Sequence, residues 1–288
     1  MTTHTTSSRR IVVAAVAVFV SLITATHVVA QPEWPSARPI SWVVPYPPGG
    51  STDILGRNLA QRLTASLGTP VVVDNKAGAT GTIGGAFVAK AAPDGHTVLG
   101  TSIGPQAIAP HLMAKLSFDP LKDLEPVVLI GTIPHVLVVG VTQPMKSLGD
   151  LLKAAKAVPG QVSFASGGNG TILQMQAELL SQRTGVKFLH IPYKGDTPAL
   201  PTMAEVGQKD FVVEQWQAVY LPARTPTSII QRLNSDINKA LSDPSIVELA
   251  EKLGVTLVGG TPKRLADLQQ SDSMTWARVI RDGNIKAD

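Results

Sequence analysis

The apolar positions of this chain fall into short extended runs that alternate with stretches of helical periodicity. Residues 41–44 form such a run, with residues 42–44 reading as a first strand, and it breaks into Pro47-Pro48-Gly49-Gly50. The period then changes. Ile54, Leu55, Leu59, Leu63 and Leu67 line one stripe of a helix over residues 51–67, and Gly68 ends it. Residues 71–73 predict a second strand and residues 83–91 a helix. Residues 97–99 predict a strand entered through Pro93-Asp94-Gly95. The apolar runs 127–130 and 136–141 mark an expected crossing between domains. Residues 148–157 predict a helix stopped by Pro159-Gly160, followed by a strand at 162–165, a helix at 172–183 and a strand at 188–191. The last third predicts strand material at 212–221 and helices at 227–241, 245–253 and 262–281. This alternation is the mark of α/β architecture.

One design occurs twice: a strand, a Gly-rich turn, then Ser or Thr at a helix start. The first copy holds Pro48, Gly49, Gly50 and Ser51, with Asp53 in the first helical turn. The second holds Ser166, Gly168, Asn169, Gly170 and Thr171. Ser51 or Thr52 is expected to cap the first helix and Thr171 the second. Glycine lets backbone approach a ligand closely, and the free N–H groups of a helix start attract anions. Two such turns facing across a cleft could clamp one anionic ligand. Asp53 is placed to fix the first turn, or to meet a ligand amine. Tyr193 and Lys194, at a strand end, offer a ring, a hydroxyl and a cation to the same cleft, the alternative for Lys194 being a solvated loop. Gly78, Gly81 and Gly84 read as turn geometry.

Composition narrows the class. Arg9 and Arg10 precede an apolar stretch at residues 11–23, and Val28-Val29-Ala30 supplies a cleavage site before Gln31. That order predicts an export signal; a retained anchor is the alternative. Removing residues 1–30 from the 288 leaves 258 and takes away two of the 25 basic residues, so the net charge falls from +4 to +2. No Lys or Arg run suits nucleic acid. With no cysteine there is no disulfide, thiolate metal site or Cys nucleophile. A periplasmic location is expected, with no cofactor and no metal.

Other chemistries find little support. There is no G-x-S-x-G, no Walker string, no G-x-G-x-x-G and no H-E-x-x-H. Ser51 and Ser166 sit in Gly-rich turns, and His96, His111, His135 or His190 could serve as a base, but no spacing pairs them. A hydrolase therefore ranks third, behind a binding protein and an interaction protein.

Six strings in order carry a resemblance. They are Tyr46-Pro47-Pro48-Gly49-Gly50 with Asp53 and Arg57; residues 71–78 with Gly81 and Ile83-Gly84; Pro93-Asp94-Gly95-His96-Thr97; Phe118-Asp119-Pro120 with Leu124 and Pro126-Val127; Phe164-Ala165-Ser166 with Gly168, Gly170 and Thr171; and residues 190–195. From about Trp34 onward the chain resembles the substrate-binding proteins of tripartite tricarboxylate transporters, the Bug family. The resemblance implies an α/β, type II, two-domain Venus-flytrap periplasmic binding protein. It implies a monomeric, non-catalytic receptor whose two opposed loops hold a small carboxylate for membrane transporter subunits. The first loop would be residues 48–53 and the second residues 166–171. Domain one would comprise residues 31–139 with 201–288, and domain two residues 140–200.

Two departures from the family pattern stand out. Gln174-Met175 replaces a usual His-Leu. Pro198-Ala199-Leu200 also runs directly into Pro201-Thr202-Met203-Ala204-Glu205-Val206-Gly207, where the family has about 40 further residues, more than one βαβ unit. Domain two is therefore expected to be truncated, and a non-binding remnant or interaction protein is the alternative function.

Overall fold

The computed structural model describes residues 34–140, 142–166, 168–193, 204–205 and 214–286. The expected signal peptide, Lys194 and the Leu200-Pro201 junction lie outside them.

Strand β1 (Ile40–Val44) leads through helix α1 (Ser51–Leu67) to β2 (Val71–Asn75), and α2 (Thr82–Ala89) leads on to β3 (Thr97–Ser102). β2 and β3 both pair with β1 in parallel, one on each side. A π turn (Gly104–Ile108) and a single α turn (Ala109–Leu112) follow, then the long strand β4 (Leu124–Pro134) and the short β5 (Val138–Val139). Next come α3 (Leu148–Ala157), β6 (Ser163–Ser166), α4 (Ile172–Thr184), β7 (Leu189–Pro192) and β8 (Ala204–Glu205). The chain ends with β9 (Glu214–Pro222), α5 (Thr227–Leu241), α6 (Pro244–Lys252), β10 (Thr256–Leu257) and α7 (Pro262–Asp282).

The main sheet runs β10-β4-β9-β3-β1-β2, with β9 antiparallel to both β3 and β4. Both faces are covered, which is why the central strands read as nearly unbroken apolar runs. One face packs Trp42, Val44, Val219 and Leu221 against Leu55, Leu59 and Leu63 of α1 and Leu233 and Ile237 of α5. The other packs Val43, Leu99, Ala218 and Tyr220 against Leu265, Trp276 and Val279 of α7. The α1 stripe is as predicted except that Ile54 is only half-buried; Gly56 lies on the buried side. A Cβ there would stand 2.9 Å from Trp42 Nε1, so the ring fits only against glycine.

Near the expected domain crossing, the ladder with β9 is carried by Leu124–Pro134, and the two-residue β5 pairs with β8. One expectation is corrected. The strand expected at 97–99 runs on to Ser102, since all six residues are buried between β1 and β9.

Residues 140–200 supply a two-stranded parallel sheet, β6 with β7. Its own apolar cluster is small: Leu148, Leu151 and Leu180, with Met145, Leu152, Val162 and Phe188 against them. The opposite side of α4 goes elsewhere. Ile172, Met175 and Leu179 sit in the same core as Leu99 and Trp276, and Gln182 Nε2 donates to Val279 O at 2.8 Å. This segment therefore leans on the main sheet for much of its burial.

Candidate functional site

β1 is flanked by strands reached through crossovers of opposite sense. In open α/β sheets, such a switch leaves a crevice at the carboxyl ends of the strands. The first Gly-rich turn leaves β1 at this place. Gly49 has φ +94°, a conformation that favours glycine. Gly50, in extended conformation, is the N-cap of α1, so neither Ser51 nor Thr52 caps it as expected. Ser51 is instead the first helical residue, and no side chain caps the helix. The first helical bond is Ile54 N to Gly50 O at 2.9 Å. The amides of Ser51, Thr52 and Asp53 therefore stand at the open, positive end of a 17-residue helix.

Asp53 pins this turn from beneath. Its Oδ2 accepts from Gly49 N at 3.0 Å and from Arg57 Nε at 3.1 Å. Its Oδ1 accepts from Asn75 Nδ2 at 2.9 Å and pairs with Arg57 Nη2 at 2.9 Å. Asn75 in turn donates to Tyr46 O and accepts from Arg57. The carboxylate, 4% exposed, is thus fully engaged by the protein itself. Burial pushes its pKa up, but Arg57, the Gly49 amide and Asn75 outweigh it and hold it below the usual value. A depressed pKa stabilises the fold above the unfolded value, about 3.9, and that contribution is lost as pH falls through the folded value. Asp53→Asn is therefore expected to cost about 1–3 kcal/mol at pH 7. The gap from the parent should shrink below about pH 4. Urea unfolding at pH 7 and pH 3 checks this, and an equal gap at both would refute it.

Beside the turn, Tyr46 Oη and Ser102 Oγ lie 2.6 Å apart, and burial pushes the phenol up to about 12, so it stays neutral. Gln217 of β9, fully buried, donates from Nε2 to Ser51 Oγ at 2.7 Å. Sequence reasoning passed over Gln217. The available signal was one amide inside the otherwise apolar run Trp216-Gln217-Ala218-Val219.

The second turn leaves the carboxyl end of β6. Ser166 is buried; its Oγ accepts from Gly168 N at 3.1 Å and lies 2.6 Å from His190 Nε2. His190 stacks on Phe164, with centroids 4.8 Å apart. Ser166 is thus paired with a histidine although no spacing announced it, but its oxygen is enclosed by its own turn, and a nucleophile must be exposed to substrate. Among the other histidines, His111 meets Ser273 and His135 meets Gln176.

Thr171 stands at the N-cap of α4, yet its side chain makes no cap bond. Its hydroxyl donates to Gly168 O at 2.8 Å, which corrects the capping expectation. Gln174, at the departure from the family pattern, accepts from Gly170 N at 2.8 Å. Gly170 closely approaches Leu112, so the second turn abuts the segment that leaves β3. Asn169 lies within the turn. Tyr193 follows β7, donates its amide to Ser166 O at 2.8 Å and leaves its ring exposed. Thr171→Ala is expected to lower stability by about 1 kcal/mol through the lost bond to Gly168. It should also weaken ligand binding modestly; normal affinity by calorimetry would make Thr171 a turn residue only.

Among the described residues, no group of three or more His, Cys, Asp or Glu could hold a metal ion, and no helix is long and apolar enough to cross a membrane.

The sequence profile described as "Tripartite tricarboxylate transporter family receptor" matches residues 55–201 and, separately, residues 196–285. Protein BugT of Bordetella pertussis is 37% identical, with 87% of this chain and 90% of BugT covered. That alignment has 295 positions, whereas 87% of 288 residues is about 251, so about 44 positions of it find no residue here. Among solved structures, the R. palustris protein Rpa4515 with adipate is 26% identical at a TM-score of 0.76, covering 88% of this chain and 99% of that one. MatC from Rhodopseudomonas palustris with bound malate is 25% identical at a TM-score of 0.73, covering 85% and 99%.

Proposed function

The chain belongs to the tripartite tricarboxylate transporter receptor family, and from that premise we propose that it captures a small organic carboxylate in the periplasm and delivers it to transporter subunits in the membrane. The family is one of solute receptors, not enzymes. The observation that carries the reading is the uncapped start of α1 at the β1/β3 switch. Three backbone amides there converge with the helix dipole on a place where Gly50 has no neighbour to crowd a ligand. Asp53 is already spent on the turn, so the site offers donors and no competing carboxylate. The relatives solved with adipate and malate point to the same chemistry.

In this reading residues 48–53 form the first ligand loop and residues 166–171 the second, with Tyr193 and Lys194 at the rim. Residues 1–30 are an export signal cut after Ala30. The lobes comprise 31–139 with 201–288, and 140–200, closing on the ligand as a monomer. The second lobe lacks on the order of 40 residues of the family pattern after Leu200. The two separate profile matches meeting at residues 196–201, and the unmatched positions against BugT, support that reading.

Calorimetry of the purified protein with adipate, malate, a tricarboxylate and an amino acid tests the function. Binding of carboxylates without turnover supports it. Failure to bind any of them would favour a non-binding remnant acting through another interaction.

A further inference from the structure

The first turn is served by a residue that its own motif does not contain. Gln217 lies on β9 opposite Ser102 of β3 and Gly131 of β4, on the face that α1 covers. It is 0% exposed, in a strand whose neighbours Trp216, Ala218 and Val219 are apolar and likewise buried. Its Nε2 donates to Ser51 Oγ at 2.7 Å. Its Oε1 is buried and has no hydrogen-bond partner among the described residues. A half-satisfied buried amide costs stability, so packing does not account for it. Its bonded end does one thing: it occupies an acceptor site of the Ser51 hydroxyl.

A serine hydroxyl has one proton and accepts through its lone pairs. With Gln217 donating to it, Ser51 keeps its proton for another acceptor. Ser51 is the first residue of α1, so that proton belongs to the same helix end as the amides of Ser51, Thr52 and Asp53. An ionised carboxylate is an acceptor only, with room for several donors. We propose that Gln217 is a positioning residue that holds the Ser51 hydroxyl as a donor to the ligand carboxylate. The proposal rests on the carboxylate-receptor reading above. It adds a buried side chain from the far side of β3 to a site otherwise made of turn backbone.

The test is a double-mutant cycle read by calorimetry with adipate and malate as probes. Gln217→Met and Ser51→Ala are each expected to weaken binding about tenfold, the worth of one hydrogen bond to a charged group. Because Gln217 acts through Ser51, the double variant should bind no worse than Ser51→Ala alone. Gln217→Glu, of the same shape, takes the Ser51 proton for itself and should bind more weakly still. Gln217→Met should melt no lower than the parent, since it removes an unpaired amide; a purely structural role predicts a lower Tm with unchanged affinity. Should Gln217→Met fail to fold, Gln217→Glu carries the same test. Unchanged affinity in the Gln217 variants, or strictly additive effects, would overturn the inference while leaving the receptor function intact. A parent that binds neither acid would overturn both.

Discussion

Gly50→Val is expected to abolish carboxylate binding while leaving the fold in place. The backbone at Gly50 is at φ −78°, which any L-residue adopts, and a Cβ there would have no heavy atom within 4 Å. The substitution therefore meets no steric resistance in the protein. Its cost to stability is that of a poor N-cap, on the order of 1 kcal/mol. Its cost to binding is larger. A carboxylate must come within about 2.9 Å of the amides of Ser51 and Thr52, and a branched side chain on the preceding residue stands in that approach. An affinity loss well beyond tenfold is expected by calorimetry, with urea unfolding showing a cost of only about 1 kcal/mol. Gly49→Ala is the contrasting variant. At φ +94° an alanine is strained by about 1–2 kcal/mol, so stability falls first. Near-parental affinity in Gly50→Val would remove the carboxylate from this helix end.

What could be read from the sequence follows from range. The stripe of Leu55, Leu59, Leu63 and Leu67 is local periodicity, and it placed α1 within the bounds observed. The turns around residues 50 and 170 were legible because glycine and serine beside an apolar run carry their own geometry. The cap of α1 was misplaced by one residue, because Gly50 leaves the capping role to backbone and frees Ser51 for Gln217. That partnership spans 166 positions and has no local signature. The Ser166–His190 contact was hidden for the same reason: it exists only once β6 and β7 pair in parallel. The burial of Ile172, Met175 and Leu179 in the main core was equally out of reach, since periodicity shows that a helix has an apolar side but not what covers it.

On the proposed reading of a shortened second lobe, a chimera carrying the corresponding BugT segment after Leu200 is expected to tighten residues 163–192. The present β6–β7 sheet has two strands, and a two-stranded sheet is marginal without a covered face. One of its faces is covered: Val162 and Phe188 reach the cluster of Leu148, Leu151 and Leu180. The other is open at alternate positions, with Leu189 48%, Ile191 38% and Tyr193 41% exposed. Fully burying a leucine or isoleucine is worth about 1.5–3 kcal/mol, so covering these half-exposed chains would add roughly 2 kcal/mol before any strand hydrogen bonds. Amide exchange in β7 should therefore slow by at least about tenfold in the chimera. The gain should be uneven. α4 is already anchored by Met175, fully buried, and by Gln182 on Val279 O, so its amides should be the better protected in the parent and change less. Carboxylate affinity should rise as well, because the second turn hangs on β6 and on the Tyr193 amide that follows β7. Equal protection of β7 in parent and chimera, with equal affinity, would show that the added segment does not support these strands and would count against the proposed truncation.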